Sequence, residues 1–132
     1  MSGSAFFTKY RPESIAVVCR HEISDYWIRL MKKVSDFVYY IKGRPGKIHG
    51  FIVVSKFTRK SFTVDLLCSN MKGKGKQLMN HVIAKYGMTH RMTLSPLPGL
   101  VKYYETFGFR KVDKKVMVRM AGPTRKAAAA AW

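Results

Sequence analysis

At 132 residues the chain is large enough for one hydrophobic core and short of the roughly 200 residues at which several domains become usual. Apolar residues make up 47% and aromatics 13%, which excludes disorder over most of its length, and no run approaches the roughly 18 apolar residues of a membrane span. Twenty-five Lys and Arg against seven Asp and Glu give a net charge of +18, which points to polyanions such as nucleic acid, phosphorylated cofactors or acidic proteins, and leaves few carboxylates for catalysis.

The opening MSGSAFFTKYRPES lacks the charged region and long apolar stretch of a secretory signal, so an intracellular location, cytoplasmic or nuclear, is expected. Residues 1–13 read as an N-terminal segment. Ser14 to Arg20, SIAVVCR, is short and β-rich and reads as a first strand. In HEISDYWIRLMKKVSDF, Ile23, Tyr26, Trp27, Leu30, Met31 and Val34 recur at helical spacing and predict an amphipathic helix. Val38 to Lys42 and Ile48 to Phe57 flank the cluster Gly43-Arg44-Pro45-Gly46 and predict a hairpin. A third strand runs from Phe62 to Cys68, with Phe62, Val64 and Leu66 on one face.

Beyond a glycine turn, Leu78, Met79, Val82, Ile83 and Tyr86 mark a helix ended by Gly87. His90 to Ser95 reads as a strand closed by PLPG, Leu100 to Phe107 as a short helix stopped by Gly108, and Phe109 to Val112 and Lys115 to Met120 as final strands. The order is roughly β-α-β-β-β-α-β-α-β, a single α/β domain over residues 14–120. The tail at 121–132, AGPTRKAAAAAW, shows no core-building pattern. Cys19 and Cys68 lie in apolar, strand-like contexts and read as buried thiols of a reducing compartment. His21, His49, His81 and His90 are scattered, and no CxxC or HxxxH pair predicts a metal site.

The stretch NMKGKGKQLM places a glycine turn between a strand and a helix. The first amides of a helix lack internal partners and its dipole adds positive charge there, so the turn suits a phosphate or diphosphate. Gly73 and Gly75 allow close backbone approach, and Lys72, Lys74 and Lys76 add long-range attraction. The same residues also fit a solvated loop. Gly75-Lys76 is followed by Gln77, and the sixth position from Gly73 is Leu78, so neither a P-loop nor a dinucleotide fingerprint is present.

Asn70-Met71-Lys72-Gly73-Lys74-Gly75 nevertheless resembles the Gln/Arg-x-x-Gly-x-Gly/Ala turn of the GNAT (Gcn5-related) N-acetyltransferases. YYETFGFRKV, with Tyr104 four residues before Gly108-Phe109, resembles that family's second signature. The resemblance covers residues 14–120 and implies a mixed, mostly antiparallel sheet flanked by helices, with acetyl-CoA as acyl donor and no metal. It implies that amides from Met71 to Lys76 hold the diphosphate and that Leu67 and Cys68 offer backbone groups to the pantetheine and thioester. Tyr104 would give a proton to the departing sulfur; the other reading of Tyr104 is a groove-lining aromatic. Two departures predict a less typical cofactor groove. Asn70 stands in place of Gln or Arg, and Leu97 in place of an Asn seven residues before the tyrosine.

Direct attack by an amine needs a base. Asp65, on the strand leading to the turn, is the first choice, ahead of Glu22 and Asp25 on the helix that lines the acceptor side in that family; an ion pair with a nearby lysine is the other reading of Asp65. The acceptor is expected to be an amine-bearing small molecule or protein, and the positive field favours a neutral or acidic one, or a protein bound to nucleic acid. The alternative is a non-catalytic basic module, binding nucleic acid or packed among viral structural proteins. Small basic chains with the LLCSN…GKGKxLM pattern look similar to GNAT-like proteins of large DNA viruses, which would place the protein in a virion.

Overall fold

The structure is a computed structural model that describes residues 1–19 and 24–124. The first helix, α1 (Gly3–Lys9), starts at Ser2, whose Oγ accepts from the Ala5 amide at 3.1 Å. It carries Phe6 and Phe7 into the core, and Gly3 lies so close to Ser35 that a β-carbon would fall on its hydroxyl. The Val38 amide bonds the Met1 carbonyl at 2.8 Å, so residues 1–13 are built into the sheet and its covering layer.

The segment expected to be a first strand is instead a helix, α2 (Pro12–Val18). Pro12 takes the first helical position, where a missing N–H costs nothing, and Glu13 complements the dipole. Ile15 and Val18, three apart, are buried while Val17 faces solvent, which is helical periodicity. Burial outweighed the β-propensity of Ile and Val. Arg20 lies outside the described residues.

Helix α3 (Asp25–Val34) is capped by Ser24 Oγ, which accepts from the Trp27 amide at 3.3 Å. Its buried face holds Ile28 and Met31 and leaves Tyr26, Trp27 and Val34 exposed. The apolar stripe is thus narrower than the spacing predicted; Ile23, with His21 and Glu22, lies outside the described residues.

Strands β1 (Ser35–Lys42) and β2 (Ile48–Ser55) form the expected hairpin around Gly46, whose φ of 78° suits only glycine without strain. Then follow β3 (Ser61–Ser69), α4 (Lys74–Tyr86), β4 (Arg91–Leu94), α5 (Val101–Glu105), β5 (Arg110–Lys111) and β6 (Met117–Arg119). They form one six-stranded sheet in the order β1-β2-β3-β4-β6-β5, antiparallel throughout except for the parallel pair β3 and β4. This is the mixed α/β architecture expected.

Central β2 is buried on both faces, and its side chains divide by the period of two. Phe51 and Val53 join Phe6, Ile15, Ile28 and Met31 under the N-terminal helices. Ile52 and Val54 join Met79, Val82, Met92, Phe107 and Met117 under α4 and α5. Each such side chain contributes about 1.5–3 kcal/mol by burial. Arg119 is also buried. Its guanidinium donates to the carbonyls of Phe107 at 2.9 Å and Gly87 at 3.0 Å, holding the ends of α5 and α4 together.

The cysteines are not thiols. Cys19, at the end of α2, and Cys68, on β3, are joined in a disulfide with Cα atoms 4.9 Å apart. The reading of two buried thiols fails because α2, absent from that reading, brings Cys19 onto β3. The argument for a reducing compartment that rested on them falls too.

Candidate active site

Parallel pairing of β3 and β4 runs only from Ser61↔Arg91 to Val64↔Leu94. Beyond Leu94 the chain reads Ser95-Pro96-Leu97-Pro98, and proline has no N–H for a ladder. Strand β4 therefore stops, while β3 continues to Ser69 bonded to β2 alone. The sheet splits at this point.

A bulge sits at the split. Val54 pairs with Val64 and Val53 with Leu66, which leaves Asp65 as the extra residue. Further along, the Asn70 amide donates to the His49 carbonyl at 3.1 Å. Hydrogen-bonded pairs alternate in an antiparallel ladder, so Leu66 and Cys68 turn their peptide groups to β2, and Leu67 and Ser69 turn theirs to the open side. The Cys68 carbonyl indeed lies 3.1 Å from where a β-carbon on Gly50 of β2 would stand.

The split encloses a cavity of about 480 Å³, lined among others by Asp65, Leu67, Cys68, Trp27, Leu97 and Tyr104. That volume suits a small ligand. Asp65, Leu67, Cys68 and Tyr104 thus come together as the sequence analysis grouped them. Trp27 and Cys19 also line it and were not singled out, since their approach depends on helix packing. Among the described residues no cluster of His, Cys, Asp and Glu forms a metal site.

The glycine turn lies at the outer end of β3. Gly73 caps α4 with φ of 84° and supplies no side-chain hydrogen bond. Of the amides from 71 to 76, Met71 donates to Ser69 Oγ at 3.2 Å and Lys74 to the Met71 carbonyl at 3.2 Å. No protein acceptor meets the amides of Lys72, Gly73, Gly75 and Lys76 among the described hydrogen bonds. Nothing lies within 4 Å of a β-carbon placed on Gly73, whereas one on Gly75 would stand 3.3 Å from the Tyr103 hydroxyl. Lys72 and Lys76 are exposed, as is Asn70.

Tyr104 is held by α5 and packs edge-on against Tyr103 and Phe109. Burial, helped by the neighbouring Tyr103, pushes its phenol up to about 12. It therefore stays protonated at any physiological pH. Asp65 is raised too, chiefly by burial; the Ser55 hydroxyl bond and Lys56 act against the rise, and Asp36 adds to it. Its Oδ2 is buried with no protein partner. An orphaned carboxylate oxygen in a cavity wall is available to a donor brought by a ligand.

No family profile and no curated protein matches the sequence. Solved structures do match. GCN5 of Tetrahymena is 12% identical at a TM-score of 0.65, with 87% of this chain and 86% of that one aligned. An aminoglycoside 6'-acetyltransferase type Ii is likewise 12% identical at 0.65, over 92% and 93%. A GNAT family acetyltransferase from Elizabethkingia anophelis, solved with acetyl-CoA bound, is 16% identical at 0.61, over 82% and 87%. Likeness at these identities concerns architecture, and its content is that the chain has the fold of the GNAT acetyltransferases.

Proposed function

We propose that the protein is an acetyl-CoA-dependent N-acetyltransferase that passes an acetyl group to an amine acceptor by direct attack. The observation that carries this reading is the split between β3 and β4, which leaves the Leu67 and Ser69 peptides facing a cavity whose wall ends at Ser69, the last residue of β3 before the turn that carries the open amides.

The residues fit the donor. The amides of Lys72, Gly73, Gly75 and Lys76 would hold a diphosphate, with their lysines supplying long-range attraction and Asn70 flanking them. Met71 and Lys74 shape the turn by their internal bonds. The Leu67 peptide would bond the pantetheine arm, while Cys68 contributes wall, its own peptide being committed to β2. When bound, acetyl-CoA would supply an acyl carbon activated as a thioester.

Asp65 accepts the proton of the attacking amine, its raised affinity making it a stronger base than an exposed carboxylate. Tyr104 acts on the leaving sulfur by donating a hydrogen bond. Full proton transfer from a phenol near 12 to a thiolate of about 8.5 would cost about 5 kcal/mol, so the bond rather than the transferred proton does most of the stabilising. Trp27 offers the acceptor an apolar wall. The charge of +18 favours a neutral or acidic amine.

Calorimetry tests the reading: the full chain binds acetyl-CoA and Gly73→Val does not. Absence of binding by the unmodified chain overturns it.

A second reading, a basic module for nucleic acid, is favoured by Arg29, Lys32 and Lys33, exposed together on α3. DNA affinity that falls steeply with salt supports it, by counter-ion release, and a flat response removes it.

A further inference from the structure

The cavity wall contains a disulfide. Cys19, at the end of α2, and Cys68, beside Leu67 on the strand that carries Asp65, both line the cavity and are 6% and 8% exposed. From Asp65 to Cys68 is three residues, about 10 Å along a strand. A ligand extended beside the open arm of β3, between Asp65 and Ser69, thus carries its terminal sulfur past Cys68 or to within about 10 Å of it along the strand. The acetyl transfer proposed above, on which this inference rests, leaves a free thiol in the cavity at the end of every turnover.

We propose that the Cys19–Cys68 disulfide is a thiol-exchange site, and that coenzyme A opens it to form a mixed disulfide at Cys68. The coenzyme A thiolate supplies the electron pair that forms the new S–S bond to Cys68 Sγ. The bond to Cys19 breaks, and Cys19 leaves as a thiolate that takes a proton from water. One disulfide is exchanged for another, so no outside oxidant or reductant is needed. Cys68 is the sulfur attacked because it belongs to β3, along which the arm lies, whereas Cys19 approaches from the end of α2. The product is a chain that holds its own spent cofactor covalently, with α2 no longer tied to β3.

The test uses the oxidised full chain incubated with coenzyme A without reductant, followed by alkylation of free thiols, intact mass and peptide mapping. One coenzyme A per chain on Cys68, with Cys19 alkylated, is expected. Glutathione at the same concentration, a thiol without the nucleotide, should react at least tenfold more slowly, and acetyl-CoA should give no adduct and slow the reaction of coenzyme A. Equal rates for the two thiols, or an adduct on Cys19, overturns the proposal. Calorimetry on the same sample separates the two ideas. Coenzyme A that binds without forming an adduct sinks the exchange and spares the acetyltransferase reading, and no binding at all removes both.

Discussion

The Tyr103 hydroxyl stands 3.3 Å from the point a β-carbon on Gly75 would occupy, so a side chain of α5 reaches the first turn of α4. A methyl group at Gly75 must displace that hydroxyl, yet alanine raises helix propensity by about 1 kcal/mol over glycine. Gly75→Ala should therefore hold or raise the melting temperature while weakening acetyl-CoA binding at least fivefold, and Tyr103→Phe should restore part of the loss. Gly73→Ala has free space but keeps φ of 84°, and should cost about 1–2 kcal/mol in denaturant titration.

Tyr104→Phe retains the ring against Tyr103 and Phe109 and removes only the hydroxyl. Turnover should fall on the order of 10²-fold while acetyl-CoA affinity changes less than threefold. Because the phenol titrates near 12, the wild-type rate should show no falling limb between pH 7 and 10 from this group. Unchanged turnover in the variant would take Tyr104 out of the mechanism.

Asp65 predicts opposite effects on rate and stability. Its acid form is favoured by the fold, so its contribution to stability is fully present below the unfolded value of about 3.9 and is lost as pH rises through the raised folded value. Asp65→Asn should melt higher than the parent at pH 7 and lose that advantage near pH 4. Its rate should drop on the order of 10²-fold or more, and the parent's rate should climb with pH through the Asp65 titration. A variant less stable at pH 7 would show that the carboxylate is paired.

The disulfide closes a loop across a sequence separation of 49 residues. The chain-entropy relation gives about 4 kcal/mol for a loop of that length. Replacing both cysteines by serine, or adding a strong reductant, should lower the melting temperature by about 15 °C. A shift under 2 °C would mean that packing, not the bridge, positions α2.

Arg119→Met keeps much of the bulk and leaves the buried Phe107 carbonyl without its donor, while the Gly87 carbonyl keeps the Gly122 amide at 2.9 Å. A buried acceptor left unbonded costs about 1–3 kcal/mol, so a loss of at least about 1 kcal/mol in urea titration is expected.

From Val38 onward the order of elements was legible, because hairpin glycines, period-two strands and the apolar positions of α4 all agree locally. The strand, glycine turn and helix around 70–76 were legible locally; Tyr104 was singled out by resemblance to a family signature, and the fold sets it in the cavity wall. The N-terminal layer was not. Ile15, Val17 and Val18 favour strands by type, and the signals that overrule them are one proline at a helix start and burial of every third residue. With α2 misread, nothing could bring Cys19 to Cys68, 49 residues on, or show Trp27 at the cavity. Asp65 was chosen for its place before the turn; that it is the bulged residue depends on register with β2, which composition does not encode.

The missing stretch of ladder acts as a ruler. Five residues, Asp65 to Ser69, go without a neighbour on one side, and at about 3.3 Å each they span about 16 Å. On the proposed acyl transfer, a slender, amide-bearing donor of that reach would stand in for the absent strand while its diphosphate lay on the α4 amides. Selection by length would then precede any side-chain contact, set by the two prolines that follow the end of β4 at Leu94.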